Sequence, residues 1–403
     1  MENVVRLRLL YLSRLATCTV AMTYAGALPF LRPVWGMDAA AAGSVQSAYN
    51  LGVALALLVA SWLAGRVGAR RVFLASSWAA AVAAVAMALF ARSHASALVL
   101  VALVGATQGG AYAPALMLVA ELAPSARRGI AMGFLLASGS FGYWLSVSGG
   151  LGISAWADYR WAFALCAVGP LIGAVAGWLA LRGHPDRPGG GASAAGVGVW
   201  AALLSPAALL LTLGYVAHTW ELLGLWTWLP AFLAHALDGA GLGAVALGLV
   251  VASAVHLAGI VATLLAGTAS DRLGRRVVLI GAAAMGGVLT VATGWSAGAA
   301  PALVLMLAAA ASFAAYADSG VLSAAMTETV HPRHLGSVLA VRSLLGFGAG
   351  AVAPVVFGAV LDHTGHWGWA FAVLAAGGVV AAVAALALGA NALKHSDDSM
   401  HQA

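Results

Sequence analysis

The sequence predicts an all-α membrane protein with twelve transmembrane helices in two pseudo-symmetric six-helix bundles. Three observations carry that prediction. Of 403 residues, 63% are hydrophobic and only 8% charged, whereas a soluble globular chain carries roughly 25% charged residues. Apolar runs of ~20 residues, enough to cross a hydrocarbon core ~30 Å thick, recur along almost the whole chain. Landmarks of the first half also return in the second at a nearly constant displacement.

Read against their polar breaks, the runs fall at 10–34, 41–64, 71–92, 96–120, 129–152, 161–182, 206–234, 242–266, 276–297, 301–327, 337–361 and 368–391. Such runs must be helical, because a lone strand in lipid would leave its amides unpaired. The first run follows or contains Arg6, Arg8 and Arg14, is too long for a signal peptide and lacks a small-residue cleavage site, so it is expected to remain as a helix. Cys18 and Cys166 stand in apolar surroundings, match neither a disulfide framework nor a metal-ligand spacing, and read as small core residues.

Charge sets the expected orientation, since cytoplasmic loops carry the excess of Lys and Arg. Arg6, Arg8 and Arg14 open the first helix, Arg66, Arg70 and Arg71 follow the second, and Arg127 and Arg128 follow the fourth. Arg182 and Arg187 follow the sixth, Arg272, Arg275 and Arg276 the eighth, Arg333 the tenth, and Lys394 lies in the tail. The opposite side offers Arg32, Arg92 and Arg160 against Asp38, Asp158, Asp238 and Asp362. Both termini are therefore expected in the cytoplasm of a bacterium, with the chain a multi-pass protein of its inner membrane. The net charge of +6 does not point to nucleic acid, because the arginines punctuate loops rather than cluster on one solvated domain. Trp35, Trp156, Trp161, Trp295, Trp367 and Trp369 fall at span ends, where an interfacial belt would place them.

One segment has linker composition: residues 183–200, with His184, Pro185, Asp186, Arg187, Pro188 and the glycines 189–191. It divides the chain into an N-terminal bundle over 1–182 and a C-terminal bundle with a short tail over 201–403. The halves repeat each other. Arg66, Gly68 and Arg70 return as Arg272, Gly274 and Arg276, displaced by 206; Glu121, Pro124 and Gly129 return as Glu328, Pro332 and Gly336; Trp161-Ala-Phe163 returns as Trp369-Ala-Phe371, displaced by 208. Duplicated halves with a site near the bilayer midplane are a recurring plan of secondary transporters.

The stretch Gly267-Thr-Ala-Ser-Asp271-Arg272-Leu-Gly274-Arg275-Arg276 resembles the loop signature of the major facilitator superfamily. The first-half copy departs from it, with Gly65 at the Asp position and Ala69 at one Arg position. The resemblance implies the major facilitator fold and alternating-access transport, with no enzymatic activity and no cofactor. It also implies a gating role for Asp271, Arg272, Gly274, Arg275 and Arg276 and for their counterparts Arg66, Arg70 and Arg71. Glu121, Arg128 and Glu328 mark the neighbouring helix ends. Such a loop can pair Asp271 with an Arg and with a helix N-terminus, so the stronger lock is expected in the second half. The alternative for Arg66, Arg70 and Arg71 is a topology signal alone. In the fourth span, Gly105-Ala-Thr-Gln108-Gly109 lacks the Arg of the proton-linked Arg-x-x-Gln-Gly pattern, and the fifth span, with Gly139, Gly142, Gly149 and Gly150, lacks the antiporter Gly-Pro pair. Import is thereby favoured over drug:proton exchange.

A charged side chain at a helix centre costs ~2.5–3.5 kcal/mol on insertion scales, so intramembrane ionisable residues mark function or firm pairing. Mid-span candidates are His218 and Glu221 in the seventh helix, His256 in the eighth and Asp318 in the tenth. His218 and Glu221 share a helical face, and carboxyl and imidazole groups both suit proton handling. Each could instead make a structural hydrogen bond between helices. The first half offers neutral cavity candidates: Tyr24, Gln46, Tyr49, Asn50, Gln108, Tyr112 and Trp144. Trp220, Trp226 and Trp228 crowd one end of the seventh helix, where a gate could close. With Lys394 the only lysine and Arg342 near a span end, anion carriage is disfavoured. The expected activity is proton-coupled import of a small neutral or cationic solute by a monomer, with the solute, protons and lipid as partners, no nucleic acid and no resident metal. Transition-metal import, organic-anion carriage and a non-transporting sensor stand as alternatives.

Overall fold

The computed structural model describes residues 2–124, 127–186 and 197–389. Arg187, Pro188, the linker glycines 189–191 and Lys394 lie outside these residues. The described elements are helical. They are α1 (Glu2–Cys18), α2 (Thr23–Trp35), α3 (Ala39–Val67), α4 (Ala69–Phe90), α5 (His94–Leu122), α6 (Arg128–Trp156), α7 (Tyr159–Leu181) and the short α8 (Val197–Leu203). They continue with α9 (Pro206–Ala236), α10 (Ala244–Ala252), α11 (Ala258–Leu273), α12 (Arg275–Trp295), α13 (Pro301–Thr329), α14 (Pro332–Thr364) and α15 (Trp367–Ala387).

Eleven spans of 21 to 31 residues are long and apolar enough to cross a membrane. The twelfth departs from expectation. Residues 10–34 do not form one helix: α1 begins at Glu2, and the chain breaks over Thr19–Met22 before α2. Three short backbone bonds tighten the break, Thr19 N to Ala16 O, Ala21 N to Cys18 O and Thr23 N to Val20 O. Side chains take over backbone groups at the break: Thr19 Oγ1 donates to Ala16 O at 2.9 Å, and Ser146 Oγ accepts from Met22 N at 2.9 Å. A break is tolerated at membrane depth only where such partners satisfy the backbone.

The eighth span is also irregular. A π-helical turn, Ser253–Leu257, joins α10 to α11 and carries His256. Such turns insert a residue into the helical ladder and occur often at functional sites.

The chain forms two compact units, one of Met1–Gly191 with Trp226–Leu257, the other of Ala192–Leu225 with Ala258–Ala403. Within the first, α3 and α5 pack backbone to backbone. A Cβ at Gly105 would overlap the Tyr49 carbonyl oxygen, so only glycine admits this approach. Within the second, Gly378 of α15 lies against Gly287 of α12 in the same manner. Large apolar side chains face outward, with Leu264 and Val288 each 69% exposed. That would be untenable in water over so wide an area and is the arrangement lipid requires. Trp156, Trp161, Trp295 and Trp369 are exposed at helix ends, whereas Trp35 donates Nε1 to Tyr159 Oη at 3.3 Å.

Candidate functional site

Within the second unit, α9 carries His218 and Glu221 three residues apart, and both are buried. Their partners come from different helices. His218 Nδ1 lies 2.7 Å from Asp318 Oδ1 of α13. Oδ1 has no aligned hydrogen bond, so the pair is a close approach rather than a directed N–H bond. Thr290 Oγ1 of α12 donates to Glu221 Oε1 at 2.7 Å. Asp318 also borders a small cavity otherwise walled by apolar groups such as Leu211, Leu279 and Leu322. Arg342 of α14 is buried against Tyr215, its guanidinium carbon 4.1 Å from the ring centroid. It donates to Leu322 O at 3.3 Å and to Ser323 Oγ at 3.1 Å.

His256 belongs to the first unit, where its ring lies 5.7 Å from Trp226 and 6.0 Å from Tyr143. Among the described residues, no three His, Cys, Asp or Glu side chains converge as metal ligands.

The first unit holds a charge at a place where the sequence pointed to neutral residues alone. Arg14, near the end of α1, donates Nη2 to Tyr143 Oη of α6 at 3.2 Å and lies 5.1 Å from the ring centroid of Tyr112 of α5. Cys18 and Tyr49 stand close to it. Gln108 donates Nε2 to Thr17 O at 2.7 Å, while Cys18 Sγ lies 3.8 Å from Gln108 Oε1. Trp144 stacks on Phe141 and donates Nε1 to Ser253 Oγ at 3.0 Å, which fastens α6 to the π turn.

Other sequence candidates have structural partners. Tyr24 donates to Ala42 O at 3.0 Å, and Asn50 is buried. Gln46 is buried too, with no hydrogen-bond partner for Oε1. Trp220 donates Nε1 to Val373 O at 3.0 Å, tying α9 to α15.

The loop signature forms a bonded cluster in the second unit. Arg275 pairs with Asp271 at 2.5 Å and with Glu328 at 3.0 Å and also donates to Ser270 Oγ. Gly274 adopts φ 91°, a conformation that favours glycine. Arg276 donates to Leu386 O at 2.8 Å, and Arg272 is exposed. Gly68, the first-half counterpart, has φ 98°. The acid absent at Gly65 is replaced from elsewhere: Asp186 pairs with Arg70 at 3.3 Å and Arg71 at 3.0 Å and accepts from Arg71 N at 3.1 Å. His184 lies 3.5 Å from Glu121. Arg66 covers the Trp62 ring at 4.0 Å, and Arg128 is exposed.

Arg14, Tyr143, His184 and Asp186 were not singled out as site residues by sequence. Arg14 sits inside the run 10–34, which was a usable signal. No local pattern announces Asp186 as the missing acid.

The Major Facilitator Superfamily profile matches residues 10–255 and 241–400. No curated protein matches the chain. Among solved structures, a mutant of the nucleoside transporter NupG superposes with a TM-score of 0.76 at 14% identity, covering 95% of this chain and 99% of that one. A bacterial homologue of the human lysosomal transporter Spinster, inward-facing and unoccupied, gives 0.73 at 17% identity, covering 96% and 95%. At these identities the likeness is one of fold.

Proposed function

Because the chain belongs to the Major Facilitator Superfamily, we propose that it carries a small solute across a bacterial inner membrane by alternating access, coupled to protons moving inward, with both termini cytoplasmic. One observation supports the coupling above others. Glu221 is a buried carboxyl whose one hydrogen bond comes from the neutral hydroxyl of Thr290, and among the described residues no arginine or lysine pairs with it. Fixed pairing with a cation would tie such a carboxyl to one charge state, whereas a neutral hydroxyl serves both. His218 lies one helical turn away and meets Asp318, so a second proton acceptor stands within the same unit.

The expectation of a neutral or cationic cargo rested on a first half without interior charge. Arg14 removes that ground, and organic-anion carriage gains accordingly.

The test is uptake by purified protein reconstituted into vesicles, screened with radiolabelled solutes under an imposed pH gradient. Glu221→Gln is expected to remove the gradient's effect while counterflow exchange continues. Uptake indifferent to the gradient, in the wild type and the variant alike, would eliminate proton coupling.

A further inference from the structure

We propose that Arg14, Tyr143 and Tyr112 form a binding site for the carboxylate of a small organic solute whose apolar body lies against Trp226. The inference rests on the transport reading above and supplies the class of its cargo.

Arg14 has no carboxylate partner among the described residues. Its contacts are the Tyr143 hydroxyl and the Tyr112 ring, with Cys18 and Tyr49 nearby. A guanidinium offers five N–H donors in a fixed fork, and one of them is used. Leaving a charge in the interior without an anion is expensive, and a bound carboxylate that takes two parallel N–H bonds relieves that cost. Arg342 provides the contrast within the same chain, because its guanidinium already donates to the Leu322 carbonyl and to Ser323. Arg14 makes no bond to a backbone carbonyl of the described residues.

Arg14, Tyr112, Tyr143 and Trp226 are half-buried rather than sealed. Gly139 faces the guanidinium, and a Cβ there would come within 3.0 Å of Arg14 Nε. The Tyr143 hydroxyl accepts from Arg14 and also meets the Cys18 sulfur, so a carboxylate bound at Arg14 would take over the O–H that Cys18 now receives. Tyr143 and Trp226 lie 5.4 Å apart, ring to ring, and form an apolar wall beside the charge. A single guanidinium flanked by neutral groups balances one negative charge, which favours a monocarboxylate over a more highly charged anion.

The experiment titrates the purified full-length protein in detergent with benzoate, benzamide, benzylamine and hexanoate at constant ionic strength, reading intrinsic tryptophan fluorescence. Saturable quenching by benzoate is expected, with benzamide and benzylamine weaker by at least about tenfold, since one partner of a desolvated charge pair is missing. Arg14→Gln should weaken benzoate by a similar factor, and Tyr143→Phe by about threefold, the loss of one hydrogen bond. Both variants are first checked for a single monodisperse peak. Equal binding of benzoate and benzamide, unchanged benzoate binding in Arg14→Gln, or no response to either benzoate or hexanoate would overturn the site. If Arg14→Gln does not fold, the probe series on the wild type and the Tyr143→Phe variant decide the question by themselves. Carboxylate binding without any vesicle uptake would sink the transport reading and leave the site. Amide uptake that persists in Arg14→Gln would do the reverse.

Discussion

His218 and Asp318, one hundred positions apart in the sequence, meet with Nδ1 2.7 Å from Oδ1 in the buried interior of the second unit. Three residues beyond His218 on the same helix, Glu221 has only a hydroxyl for a partner. Two carboxyls at similar depth thus occupy different electrostatic positions, one facing an imidazole and one facing a neutral donor.

That difference is measurable as stability. Removing one partner from a buried ion pair costs about 3–5 kcal/mol, whereas a hydrogen bond from a neutral hydroxyl contributes about 1 kcal/mol. Asp318→Asn should therefore lower the thermal unfolding midpoint in detergent by clearly more than Glu221→Gln. Equal shifts would mean that Asp318 is coupled to His218 no more strongly than Glu221 is to Thr290.

The seventh helix's tryptophans invite a gating role, but Trp220 is engaged with the backbone of α15 through the Val373 carbonyl. Trp220→Phe is expected to cost about 1 kcal/mol of stability, the loss of one buried hydrogen bond, with the uptake rate of the surviving protein near that of wild type. A variant of normal stability and abolished uptake would restore the gate.

Gly68 and Gly274 hold φ 98° and 91° at equivalent loop positions, a region where a side chain costs on the order of 1–3 kcal/mol. Both alanine variants should be destabilised by at least that amount. Gly68→Ala should suffer more, because its Cβ would fall within 2.7 Å of Asp186 Oδ1, while the space at Gly274 is open. Thermal unfolding of the two proteins side by side tests the order.

Asp186 bonds Arg70, Arg71 and the Arg71 amide at once, so Asp186→Asn should free the segment that follows α7. Because Arg71 is largely exposed, the stability change should stay within about 1 kcal/mol. The sensitive readout is trypsin cleavage at Arg182, expected to quicken in the variant. An unchanged cleavage rate would show that the bond of Arg6 Nη2 to Arg182 O and that of Arg70 Nε to Leu181 O hold the segment unaided.

The spans were legible because hydropathy is a local property. The prediction of 206–234 against an observed Pro206–Ala236 shows how closely an apolar run marks its own ends. His218 and Glu221 could be paired on one face by their spacing alone. Their actual partners, Asp318 and Thr290, could not be assigned, because which helix stands beside α9 is a matter of packing. Arg14 was read as flanking charge for the same reason. A positive residue near a helix start serves topology or binding equally well until Tyr143 and Tyr112 are seen around it.

The sequence by itself determined the solvent this chain lives in, the approximate limits of eleven apolar spans and its family loop. Each follows from periodicity and composition along the chain. Tertiary structure alone decided that the first span breaks at Thr19–Met22, that His256 sits on a π turn, and that Asp186 stands in for the acid missing at Gly65. These outcomes depend on hydroxyls, rings and carboxylates supplied by other helices, and such long-range complementation leaves no mark in the local order of residues.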